Sequence, residues 1–95
     1  MNALTPEEFA TIRTHPMLRT RDEFRAIVDA VCAEFGIDAA AISAPSRGPA
    51  IVCEARNLIC VIASQRGFSG ARIGRMINRK APTVWHALKQ AGVAL

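Results

Sequence analysis

Arg72, Arg75, Arg79, Lys80 and Lys89 fall in the stretch SGARIGRMINRKAPTVWHALKQ, residues 69–90, with no carboxylate among them. Guanidinium and ammonium groups at this density suit phosphate oxygens, whereas turnover needs an acid, a base or a nucleophile held against a partner. The chain offers no nucleophile beside a base and no paired carboxylates in an apolar setting, so an enzyme is the weakest reading. Its metal-ligating types, Cys32, Cys53, Cys60, His15 and His86, form no close pair of the kind zinc takes, and no metal or cofactor is expected. Cys53 and Cys60, if on one helix, stand about 10 Å apart along its axis, beyond disulfide reach. All three cysteines read as buried thiols in a reducing cytoplasm. GFSGARIG resembles a glycine-rich phosphate loop in composition only. It lacks a preceding strand and a Gly-Lys-Ser/Thr ending, so its glycines read as helix caps.

The segment NRKAP, residues 78–82, joins two small apolar patches and carries two cations and a proline. The spacing predicts a helix-turn-helix, with small Gly74 at the crossing, Asn78 at the turn and Val84 packing back from the second helix. In that second helix Val84, Leu88 and Ala91 form the expected buried stripe, and Thr83, His86, Lys89 and Gln90 face outward. Arg79, Lys80, Ala81 and Pro82 stand at its N-terminal entrance, where the dipole and free N–H groups favour phosphate. Arg72 and Arg75 read equally as backbone contacts or solvated cations, and His86 as a base contact or a solvated residue. Trp85, next to the Val84 stripe, reads as core, and His15 as a loop residue.

Charge divides unevenly along the chain. Residues 1–45 hold four arginines against seven acids, a net −3, while residues 46–95 hold eight cations against Glu54 alone, a net +7. The formal total of +4 conceals this basic half, the electrostatic footprint of a nucleic-acid binder; the plainer reading is a solvated basic surface. Ninety-five residues, 51% of them hydrophobic, make one core. No apolar run approaches the ~20 residues of a membrane span, and the N-terminus lacks the basic start and apolar stretch of a secretory signal. The expectation is a soluble cytoplasmic protein at the nucleoid.

Local signals predict five or six helices and no strand. Thr5, Pro6 and Glu8 start a short helix that Pro16 ends, making residues 1–19 an N-terminal helix and linker ahead of a domain over 20–95. Thr20 and Glu23 repeat the start signal, Phe24, Ile27, Val28, Val31, Cys32 and Phe35 keep a helical period, and Gly36 stops it. Asp38 caps a short helix through Ile42, and SAPSRGP is a loop. Residues 50–66 form a central helix apolar almost all round and buried on most sides, closed by Gly67. Ser69 caps a helix to about Ile77, and Pro82 begins the last one, to about Gln90.

From about Phe24 to Gln90 the chain resembles the C-terminal DNA-binding domain of the bacterial replication initiator DnaA, a helical domain related in fold to the trp repressor. IVDAVCAEFGID resembles the family's first helix, EARNLICVIA its long central helix, and S...IG with TVWHA its signature SL..IG..FGGRDHTTVLHA. The resemblance implies that Arg47 enters the minor groove from its loop, that Arg56 contacts phosphate, and that Arg79 and Thr83 stand on the signature's arginine and second threonine. Lys80, Ala81 and Pro82 replace the family's base-reading aspartate, histidine and threonine, in a turn one residue shorter, which implies a different target sequence. These 95 residues hold nothing resembling the family's nucleotide-binding module, and neither ATP binding nor origin melting is expected of them.

The expected function is therefore sequence-specific binding of double-stranded DNA by a small stand-alone transcriptional regulator, of phage or mobile-element type. Its last helix would enter the major groove. Arg56 is favoured as a phosphate clamp over an arginine that snorkels to Glu54 or the N-terminal acids; as a clamp, its loss would lower the salt slope by about one. The alternative is a protein-interaction adaptor or a non-specific architectural binder. In that reading Phe9, Ile12, Met17 and Leu18 recruit RNA polymerase or replication proteins or pair two copies into a homodimer.

Overall fold

Thr20 accepts the Glu23 N–H on its hydroxyl at 3.2 Å and starts α1, Arg21–Phe35. Its apolar period sends Phe24, Ile27, Val31 and Cys32 inward, and Gly36 ends it in the left-handed region at φ 66°. The structure, a computed structural model, describes residues 20–93, so the helix expected after Thr5 lies outside the described residues. α2 spans Ala40–Ser43; its capping position is Ala39, with no side-chain cap, one residue after the expected Asp38, whose carboxylate accepts the Ala40 N–H at 2.9 Å in the turn before it. After the loop 44–49 come α3 (Ala50–Gln65), α4 (Gly70–Ile77) and α5 (Ala81–Gln90). No strand occurs among the described residues, and no helix there is long and apolar enough to cross a membrane.

α3 is the shared element, touching each of the other four helices, while α4 and α5 pack chiefly on one another. Ile59 from α3, Ile73 and Ile77 from α4, and Val84 and Leu88 from α5 meet at the centre with essentially no exposure. Each such aliphatic side chain contributes about 2 kcal/mol of burial free energy. Phe68, in the connection after α3, meets Phe24 of α1 edge-on at 5.4 Å between ring centroids, and the Arg72 guanidinium lies 5.1 Å from its ring centroid. That stack ties the first helix to the start of α4, an aromatic pair adding about 1 kcal/mol beyond its area.

Four expectations about burial change. α3 is not enclosed on most sides: Val52, Ala55, Arg56, Ile59, Cys60 and Ala63 face the core, but Ile51 and Leu58 are exposed. Its apolar composition exceeds what one 16-residue helix can hide against α1 and three shorter neighbours. Cys32 and Cys60 are buried thiols, whereas Cys53 is half-exposed beside the loop. Ala91 is exposed, because α5 ends at Gln90 and Ala87 completes the stripe with Val84 and Leu88. Trp85 is 47% exposed, since one residue past Val84 turns its side chain by about 100° away from the buried direction.

Candidate nucleic-acid interface

Ser69 accepts the Arg72 N–H on its hydroxyl at 3.2 Å and fixes the start of α4, whose Ile73, Gly74 and Ile77 point inward. At its end Asn78 adopts φ 59° and ψ 47°, a conformation asparagine tolerates better than most residues, and the Arg79 N–H returns to the Gly74 carbonyl at 2.8 Å. The chain folds back so closely that a Cβ on Gly74 would stand 2.5 Å from the Arg79 carbonyl oxygen. Three residues thus connect α4 to α5. Lys80 occupies the capping position with no side-chain cap, and Ala81, one residue before the expected Pro82, opens the helix.

The entrance of α5 is poorer in donors than expected. Pro82 has no N–H, and the Thr83 N–H bonds the Lys80 carbonyl at 3.0 Å. Charge at this end comes from side chains instead: Arg75, Asn78, Arg79 and Lys80 with Gly74 line an open cleft of about 470 Å³. Along α5, Pro82, His86 and Lys89 recur at i, i+4 and i+7 on the outward face, all exposed, with exposed Thr83 on one flank and Trp85 on the other. The Trp85 pyrrole edge lies over Gly70, leaving no room there for a Cβ.

The end of α2 and the loop 44–49 are held by their main chain. Arg56 donates from Nε to the Ile42 carbonyl at 3.0 Å, from Nη1 to Arg47 at 3.1 Å and from Nη2 to Ala41 at 3.2 Å. From the other side the Asn78 amide donates to the Ser43 carbonyl at 3.1 Å, and Arg79 donates to Asn78 at 2.8 Å and Ser46 at 3.1 Å. The Cys53 thiol adds a longer contact of 3.5 Å to the Arg47 carbonyl. Turn and loop are therefore one hydrogen-bonded unit. Arg47 itself, its carbonyl gripped from below, is exposed.

This geometry changes the role of Arg56. Only 7% exposed, it donates its guanidinium to three carbonyls and not to Glu54, a loop-holding role that the sequence reading did not assign. The apolar stripe of α3 carried the signal, since position 56 falls among buried Val52, Ala55, Ile59 and Ala63. Burial holds its charge below the usual arginine range, and the neighbouring Arg79 charge adds to this, while Cys53 acts oppositely. Burial also pushes the Cys60 thiol up to about 11, Arg56 offsetting part of the rise. Burial raises Cys32 as well, followed by Asp29 and Asp38.

Of the residues expected at the interface, Arg47, Arg75, Lys80, Pro82, Thr83, His86 and Lys89 are exposed. Arg72, Arg79 and Ala81 are half-buried, Arg72 against Phe68. Sequence reasoning overlooked Asn78 as a tie to the loop, and also Arg21 and Arg25, which face Arg75 across a cleft of about 390 Å³. No group of three or more His, Cys, Asp or Glu side chains suited to a metal occurs among the described residues.

The family model described as the bacterial dnaA protein helix-turn-helix matches residues 24–91. No curated protein and no solved structure matches the chain.

Proposed function

The chain belongs to the bacterial DnaA helix-turn-helix family, a DNA-binding one, and from that premise we propose that it binds duplex DNA at a specific sequence and regulates transcription there. α5 enters the major groove with Thr83, His86 and Lys89 toward the bases and backbone, Lys80 and Arg79 stand at its entrance, and Arg47 reaches the adjacent minor groove. The observation that supports this reading is the hydrogen-bonded union of the turn with the end of α2 and the loop after it, Asn78 to Ser43 and Arg79 to Ser46, both 3.1 Å. It fixes the distance between the two reading elements before DNA arrives, which lowers the ordering cost of binding.

The target differs from the family's, because Lys80, Ala81 and Pro82 change both the donors and the length of the turn. Proline offers only apolar contact, and lysine at the entrance favours guanine edges or phosphate. Selection of bound duplexes from a random library at near-physiological salt tests this. One enriched motif is expected, with each wrong base pair costing about 1–3 kcal/mol. A twofold-symmetric motif would mean that two copies dock. Retention of DNA with no enriched sequence would replace the regulator by a non-specific architectural binder.

A further inference from the structure

Arg21 and Arg25 stand one helical turn apart at the start of α1, in the half of the chain whose net charge is negative. The fold brings them to α4. Together with Phe24, Ser43, Arg75 and Met76 they line a cleft of about 390 Å³ between the start of α1, the end of α2 and the end of α4. All three arginines are exposed, and none pairs with an acid among the described residues. Three guanidiniums around one solvent-filled cleft repel one another unless an anion lies between them.

The cleft is also continuous with the interface described above. Arg75 lines both this cleft and the one formed by Gly74, Asn78, Arg79 and Lys80, and Ser43, on its floor, gives its carbonyl to Asn78. A cationic track thus runs from Lys80 and Arg79 over Arg75 to Arg25 and Arg21. No residue of α5 lines this cleft, so the chemistry it offers is phosphate binding without sequence information.

We propose that Arg21, Arg25 and Arg75 form a second phosphate-binding cleft that holds the backbone of the bound duplex outside the base pairs read by α5. The proposal rests on the DNA-binding reading above. It extends the footprint by a segment where affinity depends on charge and not on sequence.

The test uses the full chain and its best selected duplex, comparing wild type with the double variant Arg21→Gln, Arg25→Gln. Both positions are exposed and make no hydrogen bond to be lost, so helix content and melting should be unchanged. Two phosphate contacts removed should lower the salt slope by about two and weaken binding about fiftyfold at 0.1 M salt. Phosphate-ethylation interference localises the effect. In wild type, ethyl groups on one or two phosphates flanking the motif should block binding, and in the double variant these phosphates should become indifferent while those beside the motif still matter.

An unchanged slope and interference pattern in the double variant would overturn the cleft and leave DNA binding by α5 standing. A weaker affinity spread evenly over all phosphates would overturn it too, since that is long-range attraction and not a contact. A wild-type chain that binds no duplex would remove the proposed function and the cleft together.

Discussion

Replacing Arg56 separates two roles that one arginine can play. Arg56→Ala removes three hydrogen bonds, at 3.0, 3.1 and 3.2 Å, from a residue 7% exposed. The buried bond from Nε to the Ile42 carbonyl is worth about 2 kcal/mol as a charged donor, and the two half-buried ones, which water replaces in part, about 0.5–1 kcal/mol each. With about 1 kcal/mol more for the packing of its aliphatic stem, the loss is about 4–5 kcal/mol. At about 4–8 °C per kcal/mol for a domain this small, melting should fall by 15 °C or more. Arg56→Lys should fall nearly as far, because one ammonium cannot span carbonyls of Ala41, Ile42 and Arg47. The assay is thermal and urea unfolding followed by circular dichroism, paired with a salt titration of DNA affinity below the melting range. Were Arg56 a phosphate contact, Ala would leave melting within about 2 °C, lower the salt slope by about 0.9, and be rescued by Lys. That pattern would refute the loop-holding role.

Gly74→Ala should cost about 2 kcal/mol and open the turn, because the new methyl meets the Arg79 carbonyl, a backbone atom with nowhere to go; urea unfolding measures it. Gly70→Ala should cost about 1 kcal/mol or less, since what it meets is the half-exposed Trp85 indole, which can swing aside. Trp85 is the sole tryptophan, so emission shifted to the red reports the swing, and unchanged emission would refute the contact. The Cys60 thiol is raised from 9.0 to about 11, so its contribution is complete below pH 9 and is lost as pH climbs through 11. Stability should therefore decline by about 2 kcal/mol over that window and decline less in Cys60→Ala. Equal slopes in urea unfolding against pH would show that the thiol does not titrate with unfolding.

Where the chemistry is local, the fold is readable from the chain. Thr20 and Ser69 cap helices by accepting the N–H three residues on, and Asn78 takes its left-handed turn because its own side chain allows it. What depends on a distant neighbour is harder to see. Arg56 finds its partners nine to fifteen residues away, and position in an apolar stripe says that it is buried without saying what it holds. Arg21 and Arg25 disappear in a net charge taken along the sequence, since the fold and not the chain order decides that they meet Arg75. Trp85 was misjudged for a related reason. The family signature has leucine both after the capping serine and before the histidine; here glycine and tryptophan stand there, one side chain's volume given up where the other's is gained.

The grip on α2 and the loop 44–49 that follows it acts on carbonyl oxygens, which every amino acid carries. Exposed Pro45, Ser46 and Arg47 are therefore free to be exchanged without loosening the frame beneath them. Under the proposed docking, mutation there would retune minor-groove preference at little cost to folding, whereas inserting or deleting a single residue would put the carbonyls out of step with Arg56, Asn78 and Arg79. A lineage of such proteins would diversify its targets by substitution within a loop of fixed length, and loop length would change only together with the three side chains that measure it.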